Sequence, residues 1–143
     1  MMSHNTEDDP TLRYSVPFNG ADVPVEIELE DGTLSPPQRQ ALQLLLSLPP
    51  DVLETAAPAV VQNYEVYRED LGDEELPPLA SPVDVWKLVS PTYFSIPLHY
   101  DVTTPTFFLL AECDWDVEHG LTVRFRNGHA DASHQQGELG LED

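Results

Sequence analysis

Three observations predict an α+β fold, an antiparallel sheet of about four to six strands packed on one face by two to three helices. Strand-like alternation occurs near both ends of the chain: Val23, Val25, Ile27 and Leu29 against Pro24, Glu26 and Glu28, and Leu121, Val123 and Phe125 against Arg124 and Arg126. Helical spacing fills the middle, where Leu53, Ala56, Val60, Tyr64 and Tyr67 form an apolar stripe. Ser35-Pro36 and Ser81-Pro82 mark helix starts, because serine caps free N–H groups and proline at the first helical position has no N–H to lose.

Taken in order, Leu12 to Phe18 reads as a strand, Asn19-Gly20 as a turn that needs positive φ, and Val23 to Leu29 as the second strand of a hairpin. Asp31-Gly32 closes it, and a helix runs from Ser35 to about Ser47. Pro49-Pro50 breaks that helix. A second one extends to about Asp70, with Pro58 expected to kink or restart it. Asp70 to Pro78 is an acidic loop, and a short helix from Ser81-Pro82 through Val89 ends at Pro91. Sheet follows: Tyr93 to Tyr100, Thr106 to Trp115, Leu121 to Arg126 and a weak edge strand from His129 to about Ser133, entered through Asn127-Gly128. Residues 1–10 and the acidic tail 134–143 read as flexible ends around one domain spanning 11–133.

The period of two assigns faces. Phe107, Leu109, Ala111, Cys113 and Trp115 share one face with Leu121, Val123 and Phe125, which should meet the helices. On the other face Glu112 and Asp114 are expected near Arg124 and Arg126, as structural ion pairs. With 143 residues and 41% hydrophobic content, the chain suits a single core without staples. The lone Cys113 excludes an internal disulfide and a four-cysteine zinc site, and in an apolar run it reads as a buried thiol. The first residues lack the basic and apolar regions of an export signal, and no apolar run is long enough to span a membrane. A soluble cytoplasmic protein is the expectation.

Charge is the second clue. Twenty-six acids against six Lys and Arg give a formal net charge of −20. Such a surface repels phosphate backbones and anionic lipid, which argues against direct nucleic-acid or membrane binding and favours a basic protein partner. Tyr64 and Tyr67, beside Glu69, Asp70, Glu74 and Glu75, are the candidate partner-binding residues, although the tyrosines also fit a core stripe. The charge alone leaves oligomeric state open.

The run Trp115-Asp116-Val117-Glu118-His119-Gly120, followed by an alternating strand, resembles the C-terminal signature of an uncharacterised bacterial domain family, with similarity over roughly residues 12–132. The resemblance implies a fold more than an activity, and an immunity-like character, since small acidic domains of this kind often look like toxin-neutralising proteins. The polar final strand His129 to His134 departs from the pattern.

Read from the residues, the hairpin has two interpretations. Asp114, Asp116, Glu118 and His119 offer oxygen and nitrogen ligands, but Asp114 and Asp116 share one face of a strand while Glu118 and His119 follow the turn, and no second histidine stands at ligand spacing unless His129 or His134 swings in from the edge strand. The structural interpretation has Gly120 supplying positive φ, Asp116 capping turn N–H groups and Trp115 packed with its indole bonded. No phosphate loop, nucleophile elbow or zinc-protease motif occurs, so neither a catalytic residue nor a cofactor is expected. The function this predicts is non-catalytic binding, of the immunity type, to a basic toxin or effector. The alternatives are an acidic nucleic-acid mimic that blocks a DNA-binding protein and, behind it, a metal-dependent enzyme using the Asp114 to His119 hairpin.

Overall fold

Six strands form one sheet in the order of the chain, β1 (Ser15–Phe18), β2 (Ala21–Ile27), β3 (Val89–Ile96), β4 (Thr106–Cys113), β5 (Leu121–Arg126) and β6 (His129–His134). The computed structural model describes residues 14–100, 102–137 and 139–141. The expected starting residues of the first strand, Leu12 and Arg13, and the N-terminal segment 1–10 lie outside them. Between β2 and β3 come α1 (Pro36–Leu46), α2 (Val52–Leu71) and a 3-10 helix, η1 (Pro82–Leu88).

Four of the strand pairings are antiparallel, but β2 and β3 run parallel, with Val25 beside Phe94 and Ile27 beside Ile96. A parallel neighbour requires a crossover, and the helical segment is that crossover. The α+β class therefore stands, with a mostly antiparallel sheet. The strand limits move most at β3, which begins at Val89 rather than Tyr93, takes Pro91 in at a register shift and ends at Ile96 rather than Tyr100; β2 lies two residues earlier than expected and β4 ends at Cys113 rather than Trp115. Proline is tolerated there because the bulge relieves the ladder of its missing N–H.

The turns follow local chemistry. Asn19 and Gly20 have φ of 52° and 83°, and Asn127 and Gly128 have 53° and 85°, the paired left-handed conformation of tight hairpins. Ser35 caps α1 by accepting from the Gln38 N–H, while Gln38 Oε1 accepts from the Ser35 N–H. Gln38 is fully buried, and its Nε2 donates to the carbonyls of Glu28 and Pro97 at 2.5 and 3.1 Å, so one amide joins the start of α1 to the ends of β2 and β3. Pro58 does not interrupt α2, which runs unbroken around it with the proline exposed.

Helices cover one face of the sheet. An aromatic chain runs through that core: Phe18 meets Trp86 and Phe94 edge-on at 5.3 Å, Phe94 meets Phe107 at 5.8 Å, and Phe107 stacks on Phe125 at 4.8 Å. Asn19 fixes the N-terminal hairpin to this core by donating to the carbonyls of Trp86 and Val89.

On the opposite face the expected acid–arginine pairs do not form. Ala111 faces Leu121, so Arg124 lies opposite Phe108 and Glu112 is four residues further along, roughly 13 Å at strand spacing. Arg124 instead pairs with Asp131 through Nε at 2.8 Å and Nη2 at 3.2 Å. Asp131 is the additional residue where β6 shifts register against β5, and this bulge turns its carboxylate onto the arginine. Beyond β6, the carbonyls of Gly140 and Leu141 accept from Arg124 and Arg126 at 3.0 and 2.5 Å, which places part of the expected tail across this face.

The segment between β3 and β4 turns on His99, whose Nδ1 bonds the Pro97 carbonyl at 2.9 Å and whose Nε2 accepts the Thr106 N–H at 3.0 Å. Only a neutral ring makes both bonds. Burial pushes the His99 pKa down, partly opposed by the Pro97 carbonyl. A folded value below the unfolded one means stability held above about pH 6.5 and lost as pH falls towards the folded value. The stability difference between pH 7 and pH 5, measured by urea denaturation, should therefore shrink in His99→Gln.

Candidate functional site

The sequence points to two places, the β4–β5 hairpin and the acidic end of α2, and the fold brings them together. Trp115 follows the end of β4, is buried and donates its indole N–H to Asn63 Oδ1 of α2 at 2.7 Å. Its ring meets Tyr64 edge-on at 5.2 Å. One turn further along α2, Tyr67 Oη donates to Asp116 Oδ2 at 2.5 Å. The helical spacing of 63, 64 and 67 puts three partners for the hairpin on one side of α2.

Asp116 organises the corner. Its Oδ1 accepts the His119 N–H at 3.0 Å and faces His119 Nδ1 at 3.2 Å, so the carboxylate closes the turn and orients the imidazole. Burial raises the Asp116 pKa, but the bonds from Tyr67 and His119 outweigh it and hold the carboxyl below the usual aspartate value. The same bond, with burial, pushes the Tyr67 phenol up to about 12. Tyr67 therefore remains a donor at neutral pH.

Gly120 has φ of 69°, and a Cβ there would lie 2.6 Å from Gln136 Nε2 and 2.8 Å from the Ala111 carbonyl. Backbone conformation and space both demand glycine. Of the remaining hairpin acids, Asp114 and Glu118 are exposed. Among the described residues no three His, Cys, Asp or Glu side chains converge where a cation would sit. Cys113 is buried, which pushes its thiol up to about 11, out of the reactive range.

The candidate partner-binding residues divide. Tyr64 is 1% exposed and donates to the Pro77 carbonyl at 2.7 Å, so it belongs to the core stripe and offers no contact surface. Tyr67 is partly exposed, and Glu69, Asp70, Glu74 and Glu75 are exposed around the end of α2 and the following loop. Arg68 shapes that loop, donating to Glu65 at 2.6 Å, to Asp73 and to the Leu76 carbonyl at 2.8 Å.

Asn63 and Arg68 are the residues that sequence reading missed. For Asn63 the only signal was a polar residue interrupting an apolar stripe, next to Tyr64. Arg68 stood in the open as the lone cation of an acidic run.

A single α+β domain whose hairpin is bonded to its longest helix is thus the class of protein on view. The chain belongs to the family described as Domain of unknown function (DUF6985), which matches residues 4–139. No curated protein and no solved structure matches it. Among the described residues, no helix is long and apolar enough to cross a membrane.

Four changes test the corner by denaturation. Trp115→Ala should cost ~3 to 5 kcal/mol, as large aromatic truncations in a core do. Gly120→Val should also destabilise clearly, through positive φ and the clash with the Ala111 carbonyl. Tyr67→Phe should cost about 1.5 kcal/mol, the low end for a bond to a charged group. Because the folded Asp116 pKa is depressed, its contribution is present above about pH 4 and lost as pH falls through the folded value; Asp116→Asn should remove that acid-side loss.

Proposed function

We propose that this chain is a non-catalytic binding protein that masks a basic macromolecular partner, in the manner of an immunity protein acting on a toxin or effector. The observation that carries the reading is the distribution of charge. Against the net charge of −20, the cations are largely occupied within the chain: Arg68 faces Glu65 and Asp73, Lys87 faces Asp84, and Arg124 and Arg126 face Asp131. Glu69, Asp70, Glu74 and Glu75 are exposed and face no cation among the described residues. A surface of this kind accelerates encounter with a positive partner and repels polyanions.

The hairpin has a supporting part in this reading. Asp116 and Tyr67 satisfy each other and hold α2 in place, so Glu69 and Asp70 are presented from a rigid element, with Glu74 and Glu75 on the loop that Arg68 ties back to it. Presentation from a fixed helix lowers the ordering cost of association.

Steering by exposed charge is screened over a Debye length of ~8 Å near physiological ionic strength. The association rate with a basic polypeptide, followed by stopped flow, should fall steeply with salt while dissociation changes less. Joint reversal of Glu69, Asp70, Glu74 and Glu75 to lysine should slow association by at least about tenfold, the scale on which electrostatic steering acts. Asp116→Asn should leave it nearly unchanged. A larger effect of Asp116→Asn than of the fourfold reversal would refute the reading.

A further inference from the structure

Beside the hairpin seam, a cleft of about 290 Å³ opens between α2 and the end of β6, lined by Asn63, Val66, Tyr67, Asp70, Ser133 and His134. Its volume is at the lower bound of pockets that enclose whole small molecules, ~300 Å³, and suits a single inserted side chain. Resting on the binding function proposed above, we infer that this cleft is the anchor pocket for an arginine side chain of the basic partner.

Several features converge on a guanidinium. Asp70 supplies a carboxylate in the cleft, and its i−4 neighbour Val66 is 59% exposed, an apolar side chain for the methylene stem of an arginine to cover. Tyr67 contributes its ring, held in one orientation because its hydroxyl is committed to Asp116. A fixed aromatic ring beside a carboxylate suits a planar guanidinium, which stacks and forks, better than the compact, strongly hydrated ammonium of lysine.

The floor is equally fixed. Trp115 holds Asn63 Oδ1 and Ser133 Oγ donates to the Ala59 carbonyl at 2.5 Å, so neither side chain must reorganise on binding. No described residue accepts from Asn63 Nδ2, which leaves it as a donor for the main-chain carbonyl of the incoming residue. The surroundings complete the charge match, since Glu69, Glu74 and Glu75 are exposed nearby in sequence and no lysine or arginine lines the cleft, His134 being its one imidazole.

The test is a titration of the isotope-labelled full chain with N-acetyl-arginine amide, its lysine counterpart and the neutral isostere citrulline amide. Expected are amide shifts confined to residues 62–70 and 133–134 with a matching shift of the Trp115 indole, in the order arginine, lysine, citrulline. Asp70→Asn and Val66→Arg, both at exposed positions, should each weaken arginine binding about tenfold, equivalent to ~1.4 kcal/mol. Glu74→Gln with Glu75→Gln should change it less than either. Shifts spread over the whole acidic surface, equal response to arginine and lysine, or equal response to citrulline would each overturn the pocket. If basic polypeptides still bind with salt-dependent rates while the cleft variants are neutral, the anchor assignment fails and the binding function stands. If no basic polypeptide binds, both fall.

Discussion

The seam between the β4–β5 hairpin and α2 is the constraint on which the rest of this molecule depends. Two hydrogen bonds cross it, Trp115 to Asn63 and Tyr67 to Asp116, beside the edge-on contact of Trp115 with Tyr64. A buried indole N–H or carboxamide without its partner costs roughly 1 to 3 kcal/mol, so Trp115 and Asn63 hold each other in place. Because α2 is the longest helix and carries the exposed acids at its C-terminal end, the seam also decides where those acids stand relative to the sheet. Ser133 adds a tie from β6 to the Ala59 carbonyl of the same helix.

Charge is sorted by the same architecture. Arg124 is buried, and its guanidinium is filled by the Asp131 carboxylate and the Gly140 carbonyl; Arg68 is spent on two acids and a carbonyl of its own loop. Arg68, Arg124 and Arg126 work as internal cement. Arg39 and Lys87 are exposed, but among the described residues exposed carboxylates outnumber them, those at and after the end of α2 included.

Much of this was legible in the sequence, for identifiable reasons. Asn19-Gly20 and Asn127-Gly128 announced their hairpins because few residues tolerate positive φ, and Ser35-Pro36 announced α1 because capping chemistry is local. The core faces of β4 and β5 were readable from a period of two. Relations between distant segments were not. The Glu112–Arg124 pairing failed because it needed the register, which the seven residues between Cys113 and Leu121 set. The parallel join of β2 to β3 is equally invisible to local pattern. Tyr64 and Tyr67 share a stripe, yet three residues separate a core side chain from one at the surface. The Asp116 cap and the bonded indole of Trp115 were expected; their partners on α2 were not, since nothing in a single sequence couples 63 to 115 or 67 to 116.

The parallel join has a consequence for how the chain assembles. Strands β3 to β6 close through short connections, whereas β2 reaches β3 only after residues 28–88 have been laid down. Closing a long loop costs entropy before any contact rewards it, and non-local pairing of this kind slows folding. During synthesis the β1–β2 hairpin emerges first and must wait, with Val23, Val25 and Ile27 uncovered, for the strand that will shelter it. In the same interval the edge of β2 that will pair with β3 stands open, a template for pairing with another chain. The join of β2 to β3 is therefore the place where the growing chain exposes an apolar, unpaired strand for longest.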